Sequence, residues 1–324
     1  MSEALTALIL HLQRLSTEDG PGIRTSIFFK GCPLHCWWCH NPESIAPYPQ
    51  VHWVETRCIG CEICLATCLN GALTKTPDRR IKVDRSLCVG CGDCAAACPA
   101  IAMELLGQQT SVKVLTEELL KDRAYFQTSG GGVTATGGEP TLQAEFVAEL
   151  FKTLQSEGIH TALDTCGVCR LPSLQMILPY TDLVLFDIKL MDENVHRQTT
   201  GQGNHRILEN LAAIGHDIRK GTARCRLWIR TPLIPQITDT EENLAAISAF
   251  LHENLEELVD RWELCAFNNL CRDKYRRLDL AWQFEDTPLM TQSELDRSEL
   301  FAKSGGFDPD RIWVTGAAKT ERTH

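Results

Sequence analysis

The sequence predicts an α/β protein: a partial (β/α) barrel of about six to seven parallel strands, interrupted by a small cysteine-rich insert. Three observations predict it. From residue 108 onward, short apolar runs alternate with amphipathic helical stretches, the pattern of right-handed βαβ units on a parallel sheet. One strand-like run, 23–29, stands alone ahead of that alternation. Between them, residues 47–107 change composition and carry eight of the chain's 16 cysteines. The expected organisation is therefore 1–46 for the first strand and a cysteine loop, 47–107 for the insert, and 108–324 for the remainder of the barrel.

The elements follow in order. Gly20-Pro21-Gly22 is a tight turn that feeds the 23–29 strand. After the insert, 114–126 reads as an amphipathic helix with Leu115, Leu119, Leu120 and Tyr125 inward, and 130–136 as a strand entered through glycines. Further strands are expected at 160–163, 183–186, 226–231, 263–267 and 311–314, separated by helices at 143–155, 172–178, 206–214, 241–258 and 292–304. Seven strands suffice for an open barrel and fall short of a complete eightfold one.

Composition narrows the function. The chain has 324 residues, is 44% hydrophobic and carries a formal charge of -10 with both signs interspersed, so it lacks the basic patch of a nucleic-acid binder. No apolar run approaches the roughly 20 residues needed to span a bilayer, and residues 1–11 carry Glu3 and no basic cluster. A cytoplasmic setting is expected, where clustered cysteines more often mean metal than disulfide.

The chemistry concentrates in a few segments. Gly31-Cys-Pro-Leu-His-Cys-Trp-Trp-Cys-His40 gathers Cys32, Cys36 and Cys39 into one loop. A four-iron cluster normally takes four thiolates, so three leave one iron with an open position, as a catalytic metal site requires. A structural zinc loop completed by His35 or His40 is the alternative. In the insert, Cys58, Cys61, Cys64 and Cys68 form C-x2-C-x2-C-x3-C, and Cys88, Cys91, Cys94 and Cys98 repeat it 30 residues later, followed by Pro99. This is bacterial-ferredoxin spacing, in which the fourth cysteine of each copy serves the other cluster. One cluster is thus expected on Cys58, Cys61, Cys64 and Cys98 and the other on Cys88, Cys91, Cys94 and Cys68, with a pair of zinc ribbons as the alternative. In a parallel barrel the reacting groups come from strand C-terminal ends. Gly137-Gly138-Glu139, Asp164-Thr165-Cys166-Gly167, Asp187-Ile188-Lys189 and Arg230 all fall at such ends.

The C-x3-C-x2-C loop together with the Gly-Gly-Glu segment resembles the radical S-adenosylmethionine (SAM) enzymes. Asp19-Gly-Pro-Gly-Ile-Arg-Thr25, with the D-T-x-G and D-x-K elements and the R-x-P-x-I-P run from Arg230 to Pro235, resembles the activating enzymes of glycyl radical enzymes within them. The resemblance implies three 4Fe-4S clusters, one SAM-binding and two auxiliary. It places Cys32, Cys36, Cys39 and Lys189 at the reacting centre, and Trp38 and His40 in the cofactor pocket. Gly137, Gly138 and Glu139 would contact the SAM amino group, and Lys189, with Ile188 before it, would pair with the SAM carboxylate. Asp164, Thr165 and Asp187 would lie beside it and can hold a monovalent cation, and Arg230 would be a second positive group. Where the family has a histidine this chain has Asn268, which can hydrogen-bond adenine or ribose and cannot carry charge. The implied partners are a glycyl radical enzyme as protein substrate and a low-potential electron donor such as flavodoxin or ferredoxin. The basic stretch 269–279 is a candidate docking surface for the partner. A radical SAM enzyme acting on a small molecule or peptide, and a pure iron-sulfur electron carrier, are the alternatives.

Overall fold

A computed structural model describes residues 5–319. Its strands are β1 (Thr6–Ser16), β2 (Arg24–Phe29), β3 (Gln50–Trp53), β4 (Leu73–Lys75), β5 (Ile81–Val83), β6 (Met103–Leu106), β7 (Gln108–Ser111), β8 (Gly132–Gly137), β9 (His160–Thr165), β10 (Leu183–Asp187), β11 (Arg226–Leu233), β12 (Val259–Ala266) and β13 (Ile312–Thr315). Nine of them form one sheet in the order β13-β12-β11-β10-β9-β8-β2-β1-β7. β2 and β8 to β13 run parallel, seven strands in all, while β1 pairs antiparallel with β2 and β7 antiparallel with β1. The mostly parallel α/β sheet is the one expected. Its antiparallel extension by β1 and β7 is not, because 6–16 mixes apolar and polar residues without strict alternation and 108–111 is wholly polar.

β2 is buried along its whole length and β8 and β10 are buried except at their last residues, as strands covered on both faces are. One face packs under helices. The helix Ala144–Ser156 alone contributes Phe146, Val147, Leu150, Phe151 and Leu154 to the main core. The expected 114–126 helix is broken: Val112–Leu119 passes through a tighter turn, Leu120–Asp122, into a second helix, Arg123–Ser129, which Gly130 ends at φ 69°. The break shifts the helical phase. Leu115 and Leu119 are buried and Leu120 partly so, but Tyr125 is half exposed and Phe126 takes the inward place. Helices Glu193–Thr200 and Arg272–Arg277 were not expected; both are polar and short.

Asp19-Gly-Pro-Gly-Ile-Arg-Thr25 locks the start of β2. The Arg24 guanidinium is wholly buried and donates to Thr134 Oγ1 (2.6 Å), the Val133 carbonyl (2.7 Å) and the Pro21 carbonyl (3.2 Å). Burial pulls its pKa down to about 10.

Residues 50–106 build two two-stranded sheets, β3 with β6 and β4 with β5, and two short helices, Ile63–Thr67 and Asp93–Ala96. They have their own small core of Val51, Trp53, Leu73, Ile81, Val83, Ala102 and Met103, to which Cys64 and Cys94 belong.

Candidate functional site

Because β2 and β8 to β12 are parallel, their C-terminal ends lie along one edge of the sheet. The three-cysteine loop follows β2, Gly138 follows β8, Asp164 and Thr165 end β9, Asp187 ends β10, Arg230 lies in β11, and Asn268 follows β12. They meet around one cavity of about 410 Å³. Its walls include Cys32, Cys36, Trp38, Cys39 and His40 from the loop, then Gly137, Gly138, Asp164, Thr165, Asp187, Lys189, Arg230 and Asn268. Two expected residues stand behind the wall. Glu139 is fully buried, and its carboxylate accepts hydrogen bonds from Thr141 N (3.1 Å), Thr141 Oγ1 (2.6 Å), Thr165 Oγ1 (2.8 Å) and Cys166 N (2.8 Å). That carboxylate thus fixes the end of β9. Ile188 points into the hydrophobic core.

The glycines have a structural reason of their own. A Cβ on Gly138 would lie 2.2 Å from the Gly31 carbonyl oxygen, and one on Gly137 2.6 Å from Phe29 N. Gly138 N donates to Phe29 O (3.0 Å) and Glu139 N to Gly31 O (2.7 Å), so this segment continues the β2 pairing up to the cysteine loop. Close approach of backbone to backbone, at the root of the loop, requires the Gly-Gly pair.

Charge in the cavity is dense. Lys189 pairs with Asp187, and the Arg230 guanidinium lies 3.4 Å from Glu263, 3.6 Å from Asp164 and 3.9 Å from Asp19. Burial opposes the Lys189 charge, but Asp187 and the thiol of Cys36 more than offset it and hold its pKa above the usual range. Burial, reinforced by Asp187 and Asp19 and opposed by Arg230, pushes the Asp164 carboxyl up to about 7. Thr136 Oγ1 donates to it at 2.5 Å. Burial also raises the thiols of Cys36, to about 12, and Cys39. Cys32 goes the other way, because the Cys166 thiol hydrogen-bonds to it.

The cysteine loop is held from two sides. On one side His35 N donates to Thr200 O (2.7 Å) and Trp37 N to Thr199 O (3.0 Å), at the end of Glu193–Thr200. On the other, Tyr275 Oη donates to Cys39 O (2.8 Å), Trp282 Nε1 to Trp37 O (3.0 Å), and Lys274 Nζ to His40 O (3.1 Å) and Asn41 Oδ1 (2.7 Å). Tyr275 and Trp282 stack with centroids 5.2 Å apart. His40 Nε2 donates to Asn268 O (2.9 Å). The basic stretch 269–279 is therefore largely committed internally: Lys274 also pairs with Glu43, Arg276 with Glu285 and Arg277 with Asp273. Arg272, exposed and bonded only to the Glu285 carbonyl (3.5 Å), is the basic side chain of the stretch left without a carboxylate among the described residues. The aromatic spacing of Tyr275, Trp282 and Phe284 was the available signal for a packed clamp. Cys166 lines the cavity against Cys32, while Cys169 is buried in the main core.

In the insert, Cys64 feels the charges of Cys98, Cys58 and Cys61, and Cys94 those of Cys68, Cys88 and Cys91. Among the described residues no group of three or more His, Cys, Asp and Glu converges on a single-ion site. The ligands of a four-iron cube bind separate irons and are spread around it.

The comparisons agree with this geometry. The Radical SAM superfamily pattern matches residues 26–246. A (2S)-3-sulfopropanediol dehydratase activating enzyme of Klebsiella oxytoca is 37% identical over 307 residues, 94% of this chain and 95% of that one. A trans-4-hydroxy-L-proline dehydratase activating enzyme of Clostridioides difficile is 37% identical over 309 residues, 94% of this chain and 98% of that one. A radical SAM methyltransferase structure from Sphaerobacter thermophilus aligns with a TM-score of 0.52 at 12% identity, over 95% of this chain and 76% of that one, a likeness of fold alone. With a cysteine loop, a charged cavity and relatives spanning nearly the whole length, the chain belongs to the radical SAM superfamily and, within it, to the activating enzymes of glycyl radical enzymes.

Proposed function

We propose that this protein binds SAM at the Cys32–Cys36–Cys39 loop and installs a radical on a glycine of a partner enzyme. The observation that carries this is the meeting of three thiols with Lys189, Arg230, Asp164 and Asp187 around one cavity. The donor set fits a 4Fe-4S cluster with an open iron, and the neighbouring charges suit the amino-acid end of SAM. Bound together, cluster and SAM would supply the hard chemistry, one-electron reductive cleavage of SAM to methionine and a 5'-deoxyadenosyl radical able to take a hydrogen atom from the partner's glycine.

The chain's own residues hold and orient. Lys189, a compact ammonium at the thiols, pairs with the SAM carboxylate, exchanging Asp187 for it in part. Asp187, Asp164 and Thr165 would then face a monovalent cation, whose charge would offset the Asp187 carboxylate that helps to raise the Asp164 pKa. Trp38 and His40 from the loop and Asn268 beyond β12 wall the adenosine side, where Asn268 hydrogen-bonds without adding charge. Glu139 acts at one remove, by fixing Thr165 and Cys166. Tyr275, Trp282 and Lys274 hold the loop's carbonyls, so that three ligands stay fixed when the fourth position is exchanged.

The insert, 47–107, would hold two auxiliary clusters on the crossed thiol sets, fed by a low-potential donor such as flavodoxin or ferredoxin. No helix among the described residues is long and apolar enough to cross a membrane. The proposed setting is the reducing cytoplasm.

Anaerobic reconstitution with iron and sulfide, followed by dithionite and SAM, should yield 5'-deoxyadenosine from the wild type and none from Cys36→Ala. Mixing with candidate glycyl radical enzymes should then give a stable glycyl radical signal for the true partner. No 5'-deoxyadenosine from protein carrying all three clusters would refute the reading and favour a pure electron carrier.

A further inference from the structure

The two four-thiol sets are nearly symmetric in sequence and not in placement. A cavity of about 820 Å³ separates the barrel's cysteine loop from the insert; Cys32 and His35 form one wall, and Gly71, Asp84, Arg85 and Leu87 part of the other. That second wall is the flank of one set only. Gly71 N donates to Cys68 O (3.1 Å), Cys88 N donates to Asp84 O (2.9 Å), and Leu87 directly precedes Cys88.

The same set is pressed against the link to the barrel at a second point. A Cβ on Gly90, between Cys88 and Cys91, would lie 2.2 Å from the Pro49 carbonyl oxygen, whereas one on Gly60, its counterpart between Cys58 and Cys61, would meet nothing within 4 Å. Arg85 donates to the Val51 carbonyl, and its charge acts on both Cys88 and Lys30, two residues before Cys32. By contrast, every residue around the hollow beside Cys58, Cys61, Cys64 and Cys98 belongs to 53–103, with none from the barrel.

Resting on the iron-sulfur function proposed above, we propose that the two sets act in series. Cys68, Cys88, Cys91 and Cys94 are the inner set, beside the SAM loop. Cys58, Cys61, Cys64 and Cys98 are the outer set, over which a negatively charged, low-potential electron carrier docks. Ile59, 69% exposed, gives that surface an apolar centre. Arg79, on the same wall and exposed, has no carboxylate ion pair among the described residues, while Lys75 beside it is neutralised by Glu62. Each step moves one electron and no proton. The carrier's reduced flavin is oxidised by one electron for each SAM whose C5'–S bond is reduced.

The internal repeat supplies a matched control, since Val89 occupies the position equivalent to Ile59 and is also 69% exposed. Ile59→Glu and Val89→Glu would be prepared in the full, reconstituted chain and checked for equal iron content. Stopped-flow bleaching by flavodoxin hydroquinone should slow at least about tenfold in Ile59→Glu, because a like charge is placed in the path of the carrier, and change less than about twofold in Val89→Glu. Equal slowing, or greater slowing at Val89, overturns the assignment.

A second measurement follows stored electrons by paramagnetic resonance in protein pre-reduced with dithionite and freed of it before SAM is added. In Cys61→Ala the remaining auxiliary signal should vanish on SAM addition. In Cys91→Ala it should persist, stranded on the outer set. The opposite pattern overturns the order. If the two variants show that selectivity while reconstituted wild type forms no 5'-deoxyadenosine, the SAM-cleaving function is overturned and the docking face stands.

Discussion

The loop at Cys32 and the two repeats of the insert use the same ligand, and the difference between them lies in what surrounds it. At the loop there are three thiols, a cavity, and charged side chains drawn from β9, β10 and β11 and the turn after β10. In the insert there are two runs of four thiols, Cys61 and Cys91 stand exposed, and Cys64 and Cys94 pack into a small apolar core. Three ligands and a cavity make a place where a molecule can bind to metal; four ligands and a thin cover make a place where an electron can rest. The largest effect should expose this division. Cys36→Ala should lower dithionite-driven 5'-deoxyadenosine formation at least about 1,000-fold, as losing one member of a unit does. Cys61→Ala should lose a comparable share of the iron and keep most of that activity. If the two variants lose activity alike when dithionite is the reductant, the division fails.

A pair of glycines tests the same contrast through packing. Gly138→Ala would push a methyl against the Gly31 oxygen at the root of the loop, where both partners are backbone and cannot move aside. The expected cost exceeds about 4 kcal/mol, and the protein should fail to accumulate folded or lose its cooperative melt. Gly60→Ala meets open space and suffers only its φ of +72°, on the order of 1–2 kcal/mol. Thermal unfolding followed by circular dichroism separates the two.

Much of this was legible in the sequence because it is written locally. The crossed thiol sets proposed above rest on spacing, and the polar clusters of the mouth follow from the rule that parallel strands end together. What could not be read is what long-range packing decides. β1 and β7 are strands because an edge of the sheet was available, not because 6–16 or 108–111 alternates. Lys274 looked like part of a basic surface until its ammonium was found on the carbonyl of His40, 234 residues away. Glu139 belongs to a motif and yet spends its carboxylate on the β9 end, a role visible only once Thr165 and Cys166 are beside it.

Two further variants grade the site by function. Lys189→Ala should weaken SAM binding by about 2–4 kcal/mol, the cost of removing one member of a buried charge pair, with iron content unchanged. Isothermal titration in the glove box measures it. Unaltered affinity would move the carboxylate site elsewhere, Arg230 being the next cation. Tyr275→Phe removes only the hydroxyl that holds the Cys39 carbonyl, worth about 1 kcal/mol. It should melt slightly earlier and release iron faster from the loop than from the insert; equal release from both would deny the clamp.

The smallest effect concerns protons, and its sign differs between the two regions. The Asp164 carboxyl sits at about 7 in the folded protein, against about 3.9 in an unfolded chain. Between those values the folded state holds the extra proton, so raising the pH costs stability until about pH 7, above which the full penalty is present. Asp164→Asn removes the penalty. At pH 8, without SAM or added cation, the variant should melt a few degrees higher than wild type, on the scale of about 2 °C per kcal/mol, and near pH 4 the two should coincide. Potassium should shrink the gap at pH 8 if the cation sits between Asp164 and Asp187, because an ion relieves the repulsion that the substitution also removes. In the insert, Asp84 is fully exposed, and Ser86 hydrogen-bonds its charged form, lowering its pKa. Its stabilisation is present at neutral pH and lost as the pH falls through the carboxylate range, so Asp84→Asn should lower Tm slightly at pH 7 and do nothing well below pH 3. Opposite slopes from two aspartates in one chain would tie the strain to the mouth of the barrel, where a ligand can relieve it; parallel slopes would mean that Asp164 is solvated and the cavity wetter than its walls imply.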